Sequence, residues 1–443
     1  MNIFISLFSS IEDPNNPNVA IPCFYETIIE DFKKSGHNLF VFVSKNFGAN
    51  YENIPQELLD EIKAFKPDLF ILFNNTFYDI SKYFDVPIVV YEVDTPLFYS
   101  NRESLKKNIS RYKFIISQEE SVKTLEDMFN VNSKNILKIP FFTEVHAENL
   151  PIEQNISFIG TKFVNSQHQN IYNKFMMQNP DNEEIIQFKS IINEFLNNPL
   201  ITKQEILAKV NTKSSKIIDN LDLNYLIFLL SDYNRVETLD AVADLGLRIY
   251  GTKNWITDTY NKPNLILNFI NTPVYSLKHN QDIYNSSKIG ININHLQACS
   301  GFSWRVCDIL ASNACLVSEY KSNIESFFVK ANIPMFTNHY EAREICKKLI
   351  NNENMRKDIV AASQEIIDSK FRYKYTKREI ENFLNLDFSN INNTPSIKYK
   401  IQYAQDVVHN KNKTLQQIFS IKNSDDKKHK IISLFGAKIK VKR

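Results

Sequence analysis

The residues best suited to chemistry cluster between Ile283 and Glu319, where Cys299-Ser300-Gly301-Phe302-Ser303 runs into Trp304-Arg305 and then Asp308. A polar, glycine-containing loop that opens a helix presents backbone N–H groups at the positive end of the helix dipole, which favours a phosphate. Arg305 adds a planar guanidinium beside them and can stabilise phosphate charge as it develops; the plainer reading is an ion pair with a neighbouring acid. His295 follows an apolar run, Ile289 to Ile293, and is a second phosphate candidate, although a lone histidine in such a place more often packs. Lys253, in Gly251-Thr252-Lys253, is a third cation and reads equally well as a solvated turn lysine. A different chemistry is offered by Glu92-Val93-Asp94-Thr95-Pro96. A carboxylate leaving an apolar strand can take a proton as a general base, while an Asp before Thr-Pro also initiates turns. Pro96 holds Thr95 extended, which keeps that loop open. Asp13, Glu119 and Glu120 are weaker carboxylate candidates and read first as helix-start residues.

These groups need elements that bring several strand ends together. Short apolar runs at Ile3–Phe8, Leu39–Val43, Leu69–Phe73, Ile88–Tyr91, Phe114–Ser117 and Ile136–Ile139 alternate with helical spacing at Phe24–Lys34, Pro55–Phe65, Asp79–Phe84, Ser104–Ser110 and Ser121–Phe129. Uniformly apolar strands alternating with helices predict a parallel sheet covered on both faces, in a doubly wound domain that ends near Glu144. A second set follows, with strands at Ile156–Gly160, Leu247–Tyr250, Ile289–Ile293 and Ala314–Ser318, and helices at Arg305–Ala311, Tyr340–Ile350, Asn354–Asp368 and Lys377–Leu384. Between Gln169 and Leu245 the spacing turns helical, without a convincing strand. In doubly wound sheets ligands bind beyond the carboxyl ends of the strands.

The pattern Tyr-Asn-Ser-Ser-Lys-Ile, Asn-Ile-Asn, Gly-Phe-Ser-x-Arg-x-x-Asp-Ile-Leu-Ala-Ser resembles the C-terminal half of group 1 glycosyltransferases, in particular the spore maturation protein B-like branch. The resemblance implies an α/β GT-B architecture, with two Rossmann-like doubly wound domains facing a cleft. Residues 1–150 would form the acceptor domain. Residues 151–386 would form the donor domain, with the helical insertion at about 169–245, and 387–443 a basic tail or small hairpin. A nucleotide-diphosphate sugar would be the donor substrate, with no cofactor and no metal, and a cell-surface glycan, glycolipid or glycoprotein the acceptor. Gly160, Tyr250, Gly251, Lys253, His295, Ser300, Gly301, Phe302, Ser303, Arg305 and Asp308 would line the donor, and Asp94 and Arg305 would be catalytic. Within that set Asp308 would accept from the ribose hydroxyls, a task that suits a carboxylate. Related enzymes carry a Glu eight residues earlier, where this chain has Ser300, a departure at the donor sugar. The alternatives are a GT-B sugar-nucleotide epimerase or hydrolase, and a non-catalytic glycan-binding assembly protein.

Composition narrows the partners. The net charge of +2 gives no overall argument for nucleic acid, but residues 396–443 hold twelve Lys/Arg against three Asp/Glu, so the remainder is acidic. That basic end could contact an anionic membrane surface. Five cysteines without a C-x-x-C pair do not form a disulfide or zinc framework, and no Asp-x-Asp sits at an apolar strand end. Met1–Ser9 lacks a basic leader and reads as a strand rather than a signal peptide, and no segment has the apolar length of a membrane span. A cytoplasmic protein, peripheral at most on the inner face of the membrane, is the expectation.

Overall fold

The structure, a computed structural model, describes residues 1–9, 21–44, 54–74, 80–96, 102–163, 223–257, 261–272, 274–389, 393–402, 419–423, 429–434 and 437–442, with isolated positions between. Asp13 and most of the expected helical insertion lie outside the described residues.

The first sheet contains β1 (Asn2–Phe8), β2 (Asn38–Ser44), β3 (Leu69–Phe73), β4 (Ile88–Tyr91), β5 (Tyr112–Ile116) and β6 (Ile136–Lys138). All pair in parallel, in the order β2-β1-β3-β4-β5-β6. Helices α1 (Cys23–Lys34), α2 (Gln56–Phe65), α3 (Arg102–Asn108) and α4 (Glu119–Phe129) connect them. The inner strands are buried at nearly every position, which is why they read as unbroken apolar runs. Helix α1 buries Phe24, Ile28, Ile29 and Phe32 at helical spacing, and the chain turns away at Gly36, which sits at φ 79°.

The second sheet contains β7 (Gln154–Ile159), β8 (Leu247–Tyr250), β9 (Phe269–Ile270), β10 (Ser287–Asn292), β11 (Cys315–Glu319) and β12 (Met335–Phe336), in the order β12-β11-β10-β7-β8-β9. Around it lie α5 (Leu223–Ala241), α6 (Asn254–Thr257), α7 (Pro263–Leu267), α8 (Leu277–Asn285), α9 (Trp304–Ala311), α10 (Ser322–Phe327), α11 (His339–Ile350) and α12 (Glu353–Lys370). The strand order reverses between β7 and β10, the place where doubly wound sheets open a ligand crevice. One buried apolar cluster covers a face of the first sheet and continues through Phe24, Phe141 and Phe142 into the second domain. The other face of the first sheet has its own core. Helix α13 (Tyr373–Leu384) returns to the first domain, where Lys377 pairs with Asp31 of α1 at 2.9 Å.

The C-terminal segment departs from the expected tail beginning at 387. Its strand β13 (Ile397–Gln402) pairs in parallel with β2 and becomes the outer strand of the first sheet. Ile397, Tyr399 and Ile401 alternate with Lys398 and Lys400, and both lysines reach Glu61 of α2. That alternation is the pattern of a half-buried edge strand guarded by charge. Beyond it, β14 (Phe419–Asn423), β15 (His429–Leu434) and β16 (Ala437–Lys442) form an antiparallel sheet. The expected hairpin is β15–β16, and β14 adds a third strand; Gly436 itself lies outside the described residues.

Candidate active site

The second-domain half of the site is built at the ends of β7 and β10. Arg305, in the first turn of α9, extends back to the sheet: its Nε donates to the Ile159 carbonyl at 2.6 Å, and Nη1 faces Asn292 Oδ1 at 3.4 Å and Ser303 Oγ at 3.3 Å. Ser303 is a capping residue by type, yet its hydroxyl makes no cap bond and turns to Arg305 instead. Gly160 is crowded by the Phe158 ring and by this guanidinium, since a Cβ there would lie 2.8 Å from Phe158 Cζ and 3.2 Å from Arg305 Nη2. Gly251 is pressed against Gly160 so closely that a Cβ would meet the Gly160 carbonyl at 2.3 Å. The Trp255 indole locks the same turn by donating to that carbonyl at 2.8 Å. Arg305, Ser303, Gly160 and Gly251 thus lie together at the strand ends.

A second guanidinium completes this half, and sequence reasoning passed it over. Arg235 of α5 is only 2% exposed, and it donates to the Thr161 and Ile293 carbonyls at 2.6 and 2.8 Å. It lies 3.7 Å from the Phe163 ring centroid, and both it and Arg305 lie over Phe158. Burial first, then the charge of Arg305, hold its pKa well below the ordinary arginine value. Neither guanidinium is paired with a carboxylate among the described residues, and Arg235 Nε has no acceptor. Nearby Asn294 is buried with both side-chain amide atoms unpartnered. Buried polar groups left unmatched in this way cost about 1–3 kcal/mol each, more when charged. The signal was legible: helical spacing places Ile227, Ser231, Arg235, Thr238 and Leu239 on one fully buried stripe, and a lone arginine on such a stripe requires partners.

The first-domain half stands opposite. Asp94 follows β4; its Oδ2 accepts from Asn74 Nδ2 at 2.6 Å and its Oδ1 from Gln297 Nε2, across the cleft, at 2.8 Å. Burial raises its pKa, and the Gln297 bond lowers it. Glu92, two residues earlier and 2% exposed, accepts the Asp94 N–H at 2.9 Å. Burial, then the Asp94 charge, push its carboxyl up to about 8. Gln118, at the start of α4, bridges the Asp94 and Gln297 carbonyls at 3.4 Å each. Ser300 donates to Glu120 of α4 at 2.8 Å, so a first-domain carboxylate stands beside this loop. A Cβ on Gly301 would lie 3.0 Å from Gln118 Cβ, so the two domains approach closely at this glycine. Glu119 points elsewhere, to Lys138 at 2.6 Å on the surface.

Other expectations change. Asp308 is buried at the seam between domains: Oδ1 accepts from Thr143 Oγ1 at 2.6 Å, while Oδ2 faces Cys23 Sγ at 3.7 Å and Asn280 Nδ2 at 3.4 Å. It is enclosed by groups of both domains where the resemblance implied ribose, because α9 turns this face onto Thr143 and onto Cys23 of α1. Burial lifts its pKa to about 6, against the pull of those donors. Trp304 stacks on Phe24 of α1 at 5.3 Å and belongs to the same seam. Phe302 is buried against Phe327 and Phe328 and packs rather than walling a pocket. The Tyr250 hydroxyl donates to Gln154 at the start of β7, so its ring runs back along the sheet and away from the strand ends. Lys253 is exposed on its turn. His295 is wedged edge-on between Phe163 and Phe228, with Nδ1 accepting from the Gln297 N–H at 3.2 Å, which is a packing role. Among the described residues no His/Cys/Asp/Glu group of three could hold a metal, and no helix is long and apolar enough to cross a membrane.

Residues 234–382 match the family described as Glycosyl transferase-like, a span that starts beside Arg235 and ends in α13. No curated protein matches the chain. Sucrose-phosphate synthase from Thermosynechococcus elongatus superposes with a TM-score of 0.52 at 8% identity, over 86% of this chain and 98% of that one. WaaG, a glycosyltransferase involved in lipopolysaccharide biosynthesis, superposes at 0.50 and 8% identity, over 86% and 99%. Both likenesses are of fold: two parallel α/β sheets in the GT-B arrangement.

Proposed function

We propose that this chain, a glycosyltransferase of GT-B fold with a group 1 second domain, moves a sugar from a nucleoside-diphosphate donor to a hydroxyl of a glycan, glycolipid or glycoprotein acceptor. The observation that carries the reading is the pair Arg235 and Arg305 at the β7–β10 reversal, without a carboxylate partner among the described residues and opposite Asp94. A diphosphate supplies the missing anion. As the bond between the anomeric carbon and the phosphate oxygen breaks, charge grows on the leaving group, and two fixed guanidiniums stabilise it where it develops. No metal is needed for that role in this proposal.

Asp94 is the base. The acceptor oxygen attacks the anomeric carbon, the glycosidic bond forms as the phosphate departs, and the acceptor proton passes to the Asp94 carboxylate. Attack opposite the leaving group makes the product inverted at the anomeric carbon. The basic segment after β13 then serves location, by contact with anionic lipid on the inner face of the membrane. The test is a thermal-shift panel of nucleoside diphosphates and their sugars, followed by assay of nucleotide release with and without acceptor. Binding raises the melting temperature by mass action. Release that depends on acceptor supports transfer, release without it supports hydrolysis, and failure of every nucleotide to stabilise the protein rejects the donor site.

A further inference from the structure

We infer that Gln297, on the donor-side loop, is a positioning residue for Asp94 that ties the base of the first domain to the donor loop of the second; this rests on the reading of Asp94 as the base.

Asp94 is held by one amide from each domain. Asn74 belongs to the rigid first sheet: it lies at φ 54° directly after β3, its N–H donates to the Tyr91 carbonyl at 3.1 Å, and its Oδ1 accepts from the Val93 N–H at 2.9 Å. Gln297 belongs to the loop between β10 and α9 that leads to Ser303 and Arg305. Its own backbone is fixed, with the N–H on His295 Nδ1 and the carbonyl facing Gln118 Nε2. A shift of the donor loop therefore moves the Nε2 that Asp94 relies on.

The charged and titratable groups around Asp94 make that contact matter. Glu92 stands on the same loop, and the Tyr25 phenol of α1 feels the charge of both carboxylates. From α4, the neutral Gln118 amide touches the Asp94 carbonyl, while Glu120 is turned to Ser300. Burial opposes ionisation of Asp94, and the hydrogen bond that Gln297 donates to the charged form restores it. Each carboxylate oxygen has a second lone pair, so Asp94 can accept a proton while both amides stay in place.

The experiment compares pH–rate profiles of wild type, Gln297→Ala, Gln297→Glu and Asp94→Asn, each checked for folding by thermal melting. Gln297→Ala should move the acid limb of kcat up by about one pH unit, with the rate recovering at higher pH. Gln297→Glu, the same shape with added charge, should move it further. Should the alanine variant not fold, Gln297→Asn, shorter by one methylene, carries the same test. A uniform fall in rate with an unmoved limb, or a wild-type profile, overturns the inference. The Asp94→Asn arm separates the two ideas: if it keeps full activity the base reading fails, and if it is inactive while the Gln297 variants leave the limb unmoved only the present inference fails.

Discussion

Replacing Glu92 by Gln should flatten the dependence of stability on pH. Glu92 is 2% exposed, and its Oε1 accepts the Asp94 N–H at 2.9 Å, a role the Gln carbonyl can keep. Burial first and the Asp94 charge second hold its folded pKa at about 8, above its ordinary 4.5. The folded protein therefore keeps this proton through a range in which the unfolded chain has lost it. The resulting stabilisation is complete below the unfolded value and is lost as pH rises through the folded one. Across that whole window the difference is on the order of 5 kcal/mol. Glutamine is neutral throughout and occupies the same volume. Variant and wild type should melt together near pH ~5, and the variant should melt several degrees higher near pH ~9. Thermal unfolding and urea titration at constant ionic strength measure this. Parallel profiles, or a variant less stable at the alkaline end, would refute the assignment of a buried, proton-holding Glu92.

The remaining predictions address the site and the chain end. Arg305→Ala and Arg235→Ala should each remove about 2–4 kcal/mol of transition-state stabilisation, with nucleoside diphosphate no longer raising the melting temperature; normal turnover by both folded variants would refute the donor assignment. Asp94→Asn should lower kcat by about 10²–10⁴ while donor affinity stays close to wild type, and product analysis by NMR should show the inverted anomer. A chain ended after Leu386 should be less stable and aggregate, because it strips β13 from the edge of β2, whereas one ended after Gln402 should fold and keep activity. The Gln402 form should also lose the sedimentation with anionic vesicles at low salt that the full chain shows, and equal sedimentation by the full chain and the Gln402 form removes the membrane proposal.

What was legible in the sequence follows from how far apart the interacting residues lie. The strands of both sheets were readable because a parallel strand covered on both faces is an unbroken apolar run, as Leu69–Phe73 and Ile88–Tyr91 show. Arg305 was readable because it lies one residue into α9, so the helix start that sets its place is local in the chain. β13 was missed because its polar, Asn-rich approach hid a six-residue alternation whose partner, β2, precedes it by more than 350 residues. Asp308 was assigned to ribose because local pattern cannot foresee Thr143 and Cys23, 165 and 285 residues away, which occupy its oxygens. The same limit applies at the cleft. Asp94 and Gln297 are 203 residues apart, and Glu120 and Ser300 are 180 apart. Each of these side chains alone reads as a turn or surface residue. Their chemistry exists only once two sheets, each legible by itself, have been packed along the seam of Phe24, Phe142 and Trp304. That seam sets the distance between Asp94 and the loop that carries Gln297, so substitutions in it should change the Asp94–Gln297 contact before they change either sheet.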